Sequence, residues 1–136
     1  MIHGVGIDLV QTSRIAAALE RFGERFAQRI LTDHEHRRFR QARRRVDFLA
    51  KHFAAKEAFM KALGTGLRQG VSWRDIEIRN EPLGRPYLHL TGRVRELLEY
   101  YEAGECHLSL CDEGGYAAAN VTLLKRVPLR AGPNPR

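Results

Sequence analysis

Phe53-Ala54-Ala55-Lys56-Glu57-Ala58-Phe59-Met60-Lys61, running on into Ala62-Leu63-Gly64-Thr65-Gly66, is the most explicit stretch of this 136-residue chain. It predicts a helix over Asp47 to Leu63 that stops where Gly64 offers a residue free to turn left-handed. On that helix Glu57 and Lys61 stand four residues apart and share a face. As a plain surface ion pair they would contribute only about 0.2–0.5 kcal/mol. The helix is otherwise rich in apolar residues and alanine, however, and the Gly64-Thr65-Gly66 turn lets a phosphate approach the backbone. A glycine turn also simply ends helices, and the GxxxxGK[ST] order of a P-loop is absent.

Upstream, Ile2 to Val10 reads as a strand with apolar residues on both faces, hence buried, with Gly4 and Gly6 permitting close backbone approach. Asp8 is its anomaly, because an unpaired carboxylate is costly to bury. It either pairs with an arginine, caps a turn, or does chemistry. Thr12 or Ser13 can cap a helix with Ile15, Leu19, Phe22 and Phe26 on one face, which Gly23 breaks or bends. Arg14, Arg21, Arg25 and Arg29 share a face where it persists. Thr32-Asp33-His34-Glu35 fits a capping box opening a helix toward Arg44. Downstream, Asp75 to Arg79 and Tyr87 to Thr91 are predicted strands joined by a turn with Pro82, Gly84 and Pro86. A helix over Gly92 to Glu102 follows, then a hairpin of His107 to Cys111 and Tyr116 to Leu124. Early helices and late hairpins argue for an α+β fold. The expectation is one small domain over residues 1–125 with an antiparallel sheet, and a loose Pro/Gly-rich tail over 126–136.

The chain is 43% hydrophobic, enough for a core, and lacks the run of about 20 apolar residues that a membrane span needs. Met1 leads directly into Ile2-His3-Gly4-Val5 without a basic leader, so a cytoplasmic protein is expected. Cys106 and Cys111, an odd number apart on a strand, point to opposite faces and read as buried free thiols rather than a disulfide. No CxxC pair suggests zinc. The net charge of +7 is concentrated: Arg14 to Arg45 holds ten arginines against four acids. Something negative is expected to dock there, whether nucleic acid, an acidic protein or a phosphorylated ligand. A basic nucleic-acid-binding domain is the main alternative function, suggested by the run from Arg37 to Arg45. Against it, Phe22, Phe26 and Phe39 fit apolar helix faces rather than a stacking platform, and no helix-turn-helix is evident.

Together, Val5-Gly6-Ile7-Asp8 and the Phe53 to Lys61 segment resemble the two hallmarks of the holo-acyl-carrier-protein synthases, the short single-domain branch of the phosphopantetheinyl transferases. The likeness extends through Ala62-Leu63-Gly64-Thr65-Gly66, Trp73 to Asn80, Gly84-Arg85-Pro86 and His107-Leu108-Ser109-Leu110, over roughly Met1 to Leu124. The resemblance implies the phosphopantetheinyl transferase fold and transfer of the 4′-phosphopantetheine arm of coenzyme A to a carrier-protein serine. It implies Asp8 and Glu57 as ligands of Mg²⁺, a hard cation that takes few protein oxygens. Glu57 is also the implied base, directly or through a metal-bound water, and Lys61 a point charge for the phosphates. Coenzyme contacts are implied for Lys56, Gly64, Thr65, Gly66, Pro86 and His107, with Lys56 alternatively holding Glu57 in place. Where the family often carries arginine, this chain has Lys51-His52, so His52 or Lys51 becomes a phosphate contact by position. Cys111 stands where serine is common. Arg14, Arg21 and Arg25 are the implied docking residues for the acidic carrier protein, and a homotrimer with a site at each subunit boundary is implied. A non-catalytic carrier-binding scaffold is disfavoured, since docking alone needs none of Asp8, Glu57 and Lys61.

Overall fold

A computed structural model describes residues 1–126; the expected loose tail lies, but for Arg126, outside them. The chain begins with β1 (Ile2–Gln11) and continues through α1 (Thr12–Phe22), α2 (Glu24–Ile30), α3 (Asp33–Gln41) and α4 (Arg45–Leu63). A 3₁₀ turn (Trp73–Asp75) leads into β2 (Ile76–Asn80) and β3 (Pro86–Leu90), followed by α5 (Gly92–Tyr101), β4 (Ala103–Glu113) and β5 (Tyr116–Lys125). β1, β5 and β4 form an antiparallel sheet in that order, and β2 and β3 a separate antiparallel pair. The α+β expectation holds. Gly23, at φ 66°, splits the first predicted helix in two. The Thr32–Glu35 capping box forms in both directions, and Gly64 ends α4 in the left-handed region.

Helix α4 is the spine of the molecule. Leu49, Ala54, Ala55, Ala58, Phe59 and Met60 are buried around it, which a one-sided amphipathic helix would not show. It lies on one face of the three-stranded sheet, where Val10, Ala117, Ala119, Val121 and Leu123 point inward. The contact between β1 and α4 is as close as backbones allow. A Cβ on Gly6 would stand 1.8 Å from the carbonyl oxygen of Ala58, and one on Gly4 2.0 Å from that of Ala62. Only glycine fits at either place.

Among the described residues the other face of the sheet carries no layer, and this overturns the expectation that β1 is buried on both sides. Val5, Ile7 and Leu9 are 54%, 65% and 64% exposed, in cross-strand rows with Thr122, Asn120 and Ala118 of β5. Cys111 pairs with Ala118 in the same outer face and is exposed, contrary to the expected buried thiol. Cys106 points inward, partly buried, and burial pushes its thiol up to about 11. One helix covers one face, and no described element covers the other.

Candidate active site

Asp8 follows Gly6 by two residues on β1 and so faces α4 from the same side of the strand. There Lys61 Nζ donates to the Asp8 carboxylate at 3.2 Å and to the carbonyl of Ile7 at 3.0 Å. Asp8 is mostly covered and Lys61 half exposed. Glu57, one turn before Lys61, is partly buried on the same side. Its carboxyl is pushed above the usual carboxylate range, first by burial and then by the Asp8 charge, with Lys61 opposing. Two carboxylates and one lysine therefore converge at a junction of edge strand and helix.

Two adjacent carboxylates, one of them raised above its ordinary range by burial and by the charge of the other, suit a hard divalent cation that takes its remaining oxygens from water and phosphate. Among the described residues no three His, Cys, Asp or Glu side chains come together, so a closed all-protein metal cage is not built. At the end of α4, Gly64 and Gly66 expose their backbone with positive φ. Thr65 differs: its side chain is buried and its hydroxyl donates to the carbonyl of Gly66 at 2.9 Å.

Pro86 and His107 lie elsewhere. They line a cleft of about 620 Å³ with Glu81, Arg85, Tyr87 and Glu105. His107 pairs across the strands with Thr122, which faces Val5, so its side chain belongs to the outer face of the sheet. Asp8 points to the inner face from the opposite edge strand. Within one chain the two groups of residues are not brought together. Arg85, quoted from sequence only within the Gly84-Arg85-Pro86 likeness and given no role there, makes no ion pair among the described residues.

Two expected coenzyme contacts are corrected. Lys56 is completely buried, with its ammonium donating to Glu35 Oε1 at 2.6 Å, Ile30 O at 2.6 Å and Trp73 O at 3.2 Å. It has no free proton for a phosphate and makes no contact holding Glu57. His52 is also buried, stacked on Phe48 and donating Nδ1–H to the Phe48 carbonyl at 2.8 Å. Burial holds its imidazole down to about 3, so it stays neutral. Lys51, its neighbour, lies 3.6 Å from Asp112. Sequence reading missed Glu35 as the partner of Lys56, because its capping-box position explained it already; a lysine on an apolar helix was the signal that an acid had to be buried near it.

The arginine face takes a definite form. Arg21, Arg25 and Arg29 line a groove of about 730 Å³ with Phe22, Phe26 and Gln28. Arg14 lies before it on the exposed side of α1. None of these four arginines forms an ion pair among the described residues, whereas Arg45 pairs with Glu24 and Arg44 with Asp47. Phe22, expected on the apolar helix face, is instead 56% exposed between Arg21 and Arg25.

Residues 4–121 match the 4'-phosphopantetheinyl transferase superfamily. The holo-[acyl-carrier-protein] synthase of Vibrio cholerae serotype O1 is 48% identical over 93% of this chain and all of its own length. Among solved structures, the holo-[acyl-carrier-protein] synthase of Neisseria meningitidis is 43% identical with a TM-score of 0.88, covering 92% of this chain and 100% of that one. The Bacillus anthracis synthase in complex with CoA (3',5'-ADP) is 36% identical with a TM-score of 0.77, covering 93% and 99%. With the two hallmark segments brought face to face, and with relatives this near along almost its whole length, the chain belongs to the holo-[acyl-carrier-protein] synthase family of the 4'-phosphopantetheinyl transferases.

Proposed function

We propose that this protein transfers the 4′-phosphopantetheine group of coenzyme A to a serine hydroxyl of an apo acyl carrier protein, with Mg²⁺ as its cofactor. The observation that carries the reading is the meeting of Asp8, Glu57 and Lys61 where β1 touches α4. Asp8 and Glu57 would hold the cation, which when bound supplies charge neutralisation at the pyrophosphate. Lys61, half exposed beside Asp8, would supply a point charge to the same phosphates. Glu57, directly or through a bound water, would accept the proton of the serine hydroxyl as that oxygen bonds to the phosphorus bearing the pantetheine arm. The phosphoanhydride bond to the nucleotide breaks, and adenosine 3′,5′-bisphosphate leaves. The exposed backbone of Gly64 and Gly66 gives the coenzyme room at the end of α4.

Arg14, Arg21 and Arg25 would dock the acidic carrier protein, with Phe22 adding an apolar contact inside the charged groove. The active unit is a homotrimer with each site shared between neighbours. Two observations support this: the uncovered apolar face of Val5, Ile7 and Leu9, and the placement of Asp8 and His107 on opposite sheet faces at opposite edges. A neighbouring chain can bring its Pro86 and His107 to the Asp8–Glu57 junction; the same chain cannot. No helix among the described residues is long and apolar enough to cross a membrane, consistent with action in the cytoplasm.

The test is to incubate the protein with coenzyme A, Mg²⁺ and an apo carrier protein and weigh the carrier. Addition of one phosphopantetheine mass is expected for the wild type and loss of it for Asp8→Ala and Glu57→Ala. Undiminished transfer by either variant with ordinary Mg²⁺ dependence would refute the assignment of the metal site.

A further inference from the structure

Lys56 and Glu35 form an ion pair from which water is excluded entirely. Such a pair is a poor way to gain stability, since apolar residues of similar volume are often as stable or more so. What it does is specify geometry, and here it does so for five segments at once. The Lys56 ammonium has three protons and uses all of them: Glu35 of α3, the Ile30 carbonyl at the end of α2, and the Trp73 carbonyl of the 3₁₀ turn. The Glu35 carboxylate accepts in addition from the backbone N–H of Thr32 at 2.9 Å and of Ile78 in β2 at 2.7 Å. No donor of the lysine and no oxygen of the carboxylate is left over.

The termini of this network matter for the reaction. Ile30 ends the helix that carries Arg25 and Arg29, the arginines of the exposed groove. Lys56 is the residue immediately before Glu57 on α4. One buried ammonium therefore connects, through a single hydrogen bond and a single peptide unit, the groove that faces the carrier and the carboxylate at the reacting centre.

We propose that Lys56, held by Glu35, is a positioning residue that fixes the arginine-bearing α2 relative to Glu57 and so sets where the serine of a docked carrier arrives. This rests on the function proposed above. It assigns Lys56 no contact with coenzyme, cation or carrier. A displacement of about 1 Å between docking face and reacting group is enough to reduce turnover on the order of 100-fold. The signature is a fall in kcat with the carrier while KM for the carrier and affinity for coenzyme A stay put, since the arginines and the coenzyme contacts remain.

Lys56→Met with Glu35→Gln removes both charges together and avoids stranding either one. Its melting temperature, its affinity for coenzyme A in the presence of Mg²⁺ by calorimetry, and its kcat and KM for the apo carrier are measured beside the wild type. A folded variant with coenzyme affinity within about 2-fold of wild type and kcat lowered at least about 10-fold at unchanged KM is expected. Wild-type kcat in the folded double variant overturns the proposal, because the pair then serves only the fold. Glu35→Gln alone, which keeps both carbonyl acceptors of Lys56, is read in the same way should the double variant not fold. If neither variant folds at 20 °C, the pair is required for folding and the positioning role is again overturned. Failure of the underlying function is separately visible, since the wild type would then transfer nothing.

Discussion

Replacing Gly6 by alanine puts a methyl group where α4 has its backbone. The added Cβ would lie 1.8 Å from the carbonyl oxygen of Ala58 and 2.8 Å from both its carbonyl carbon and the amide nitrogen of Ala62. No rotamer relieves this, because every atom it meets is main chain. To restore an ordinary contact the strand has to retreat from the helix by more than about 1 Å, as native interiors do not yield by compression. Overpacking usually costs about 1–3 kcal/mol, and a backbone obstacle belongs at the top of that range. For a chain of this size that corresponds to a melting temperature lower by roughly 10 °C. The same retreat withdraws Asp8 from Glu57 and Lys61, and a shift of that size lowers transfer by about 100-fold. Thermal unfolding by circular dichroism and a Mg²⁺ titration of the transfer reaction measure the two effects. Gly4→Ala is the control: it meets Ala62 O at 2.0 Å, so it should destabilise comparably while disturbing Asp8, four residues away, less. A Gly6→Ala protein with wild-type melting temperature and turnover would refute the argument that this contact assembles the site.

Three other outcomes follow from the same geometry. His52 titrates at about 3 in the fold against 6.5 when exposed, so the unfolded chain binds its proton first as pH falls. Stability should drop between pH 6.5 and 3 by a contribution on the order of a few kcal/mol, and His52→Phe should flatten that part of the melting-temperature profile. Arg14→Glu and Arg21→Glu should raise KM for the carrier with little change in that for coenzyme A, and salt should do the same to the wild type, since exposed charges are screened within about 8–10 Å. Equal effects on both substrates would assign the arginines to the coenzyme. Ile7→Glu, in the middle of the uncovered sheet face, should convert a species of about three chain masses into one of 15.5 kDa in sedimentation and abolish activity with it. An active monomer would sink the shared-site reading.

Much of this was legible in the chain itself. The end of α4 at Gly64, the capping box at Thr32, the break at Gly23 and the late hairpin are local events, set by which residues cap, turn or fit a helix within a few positions. The two hallmark segments carried the family because they preserve order and residue type, and Gly4 and Gly6 announced a close approach before anything showed what approached them. What could not be read locally was direction and partnership. Lys56 and Glu57 are adjacent in the chain, yet a rotation of about 100° per residue sends one into a dry core and the other to the reacting edge. His52 turned inward for the same reason, although its neighbours sit near the surface. Val5, Ile7 and Leu9 looked like core, yet no described element packs over them. Burial, pairing across 21 residues as in Lys56–Glu35, and the separation of His107 from Asp8 depend on how the elements stack, because each is decided by atoms that the local sequence does not contain.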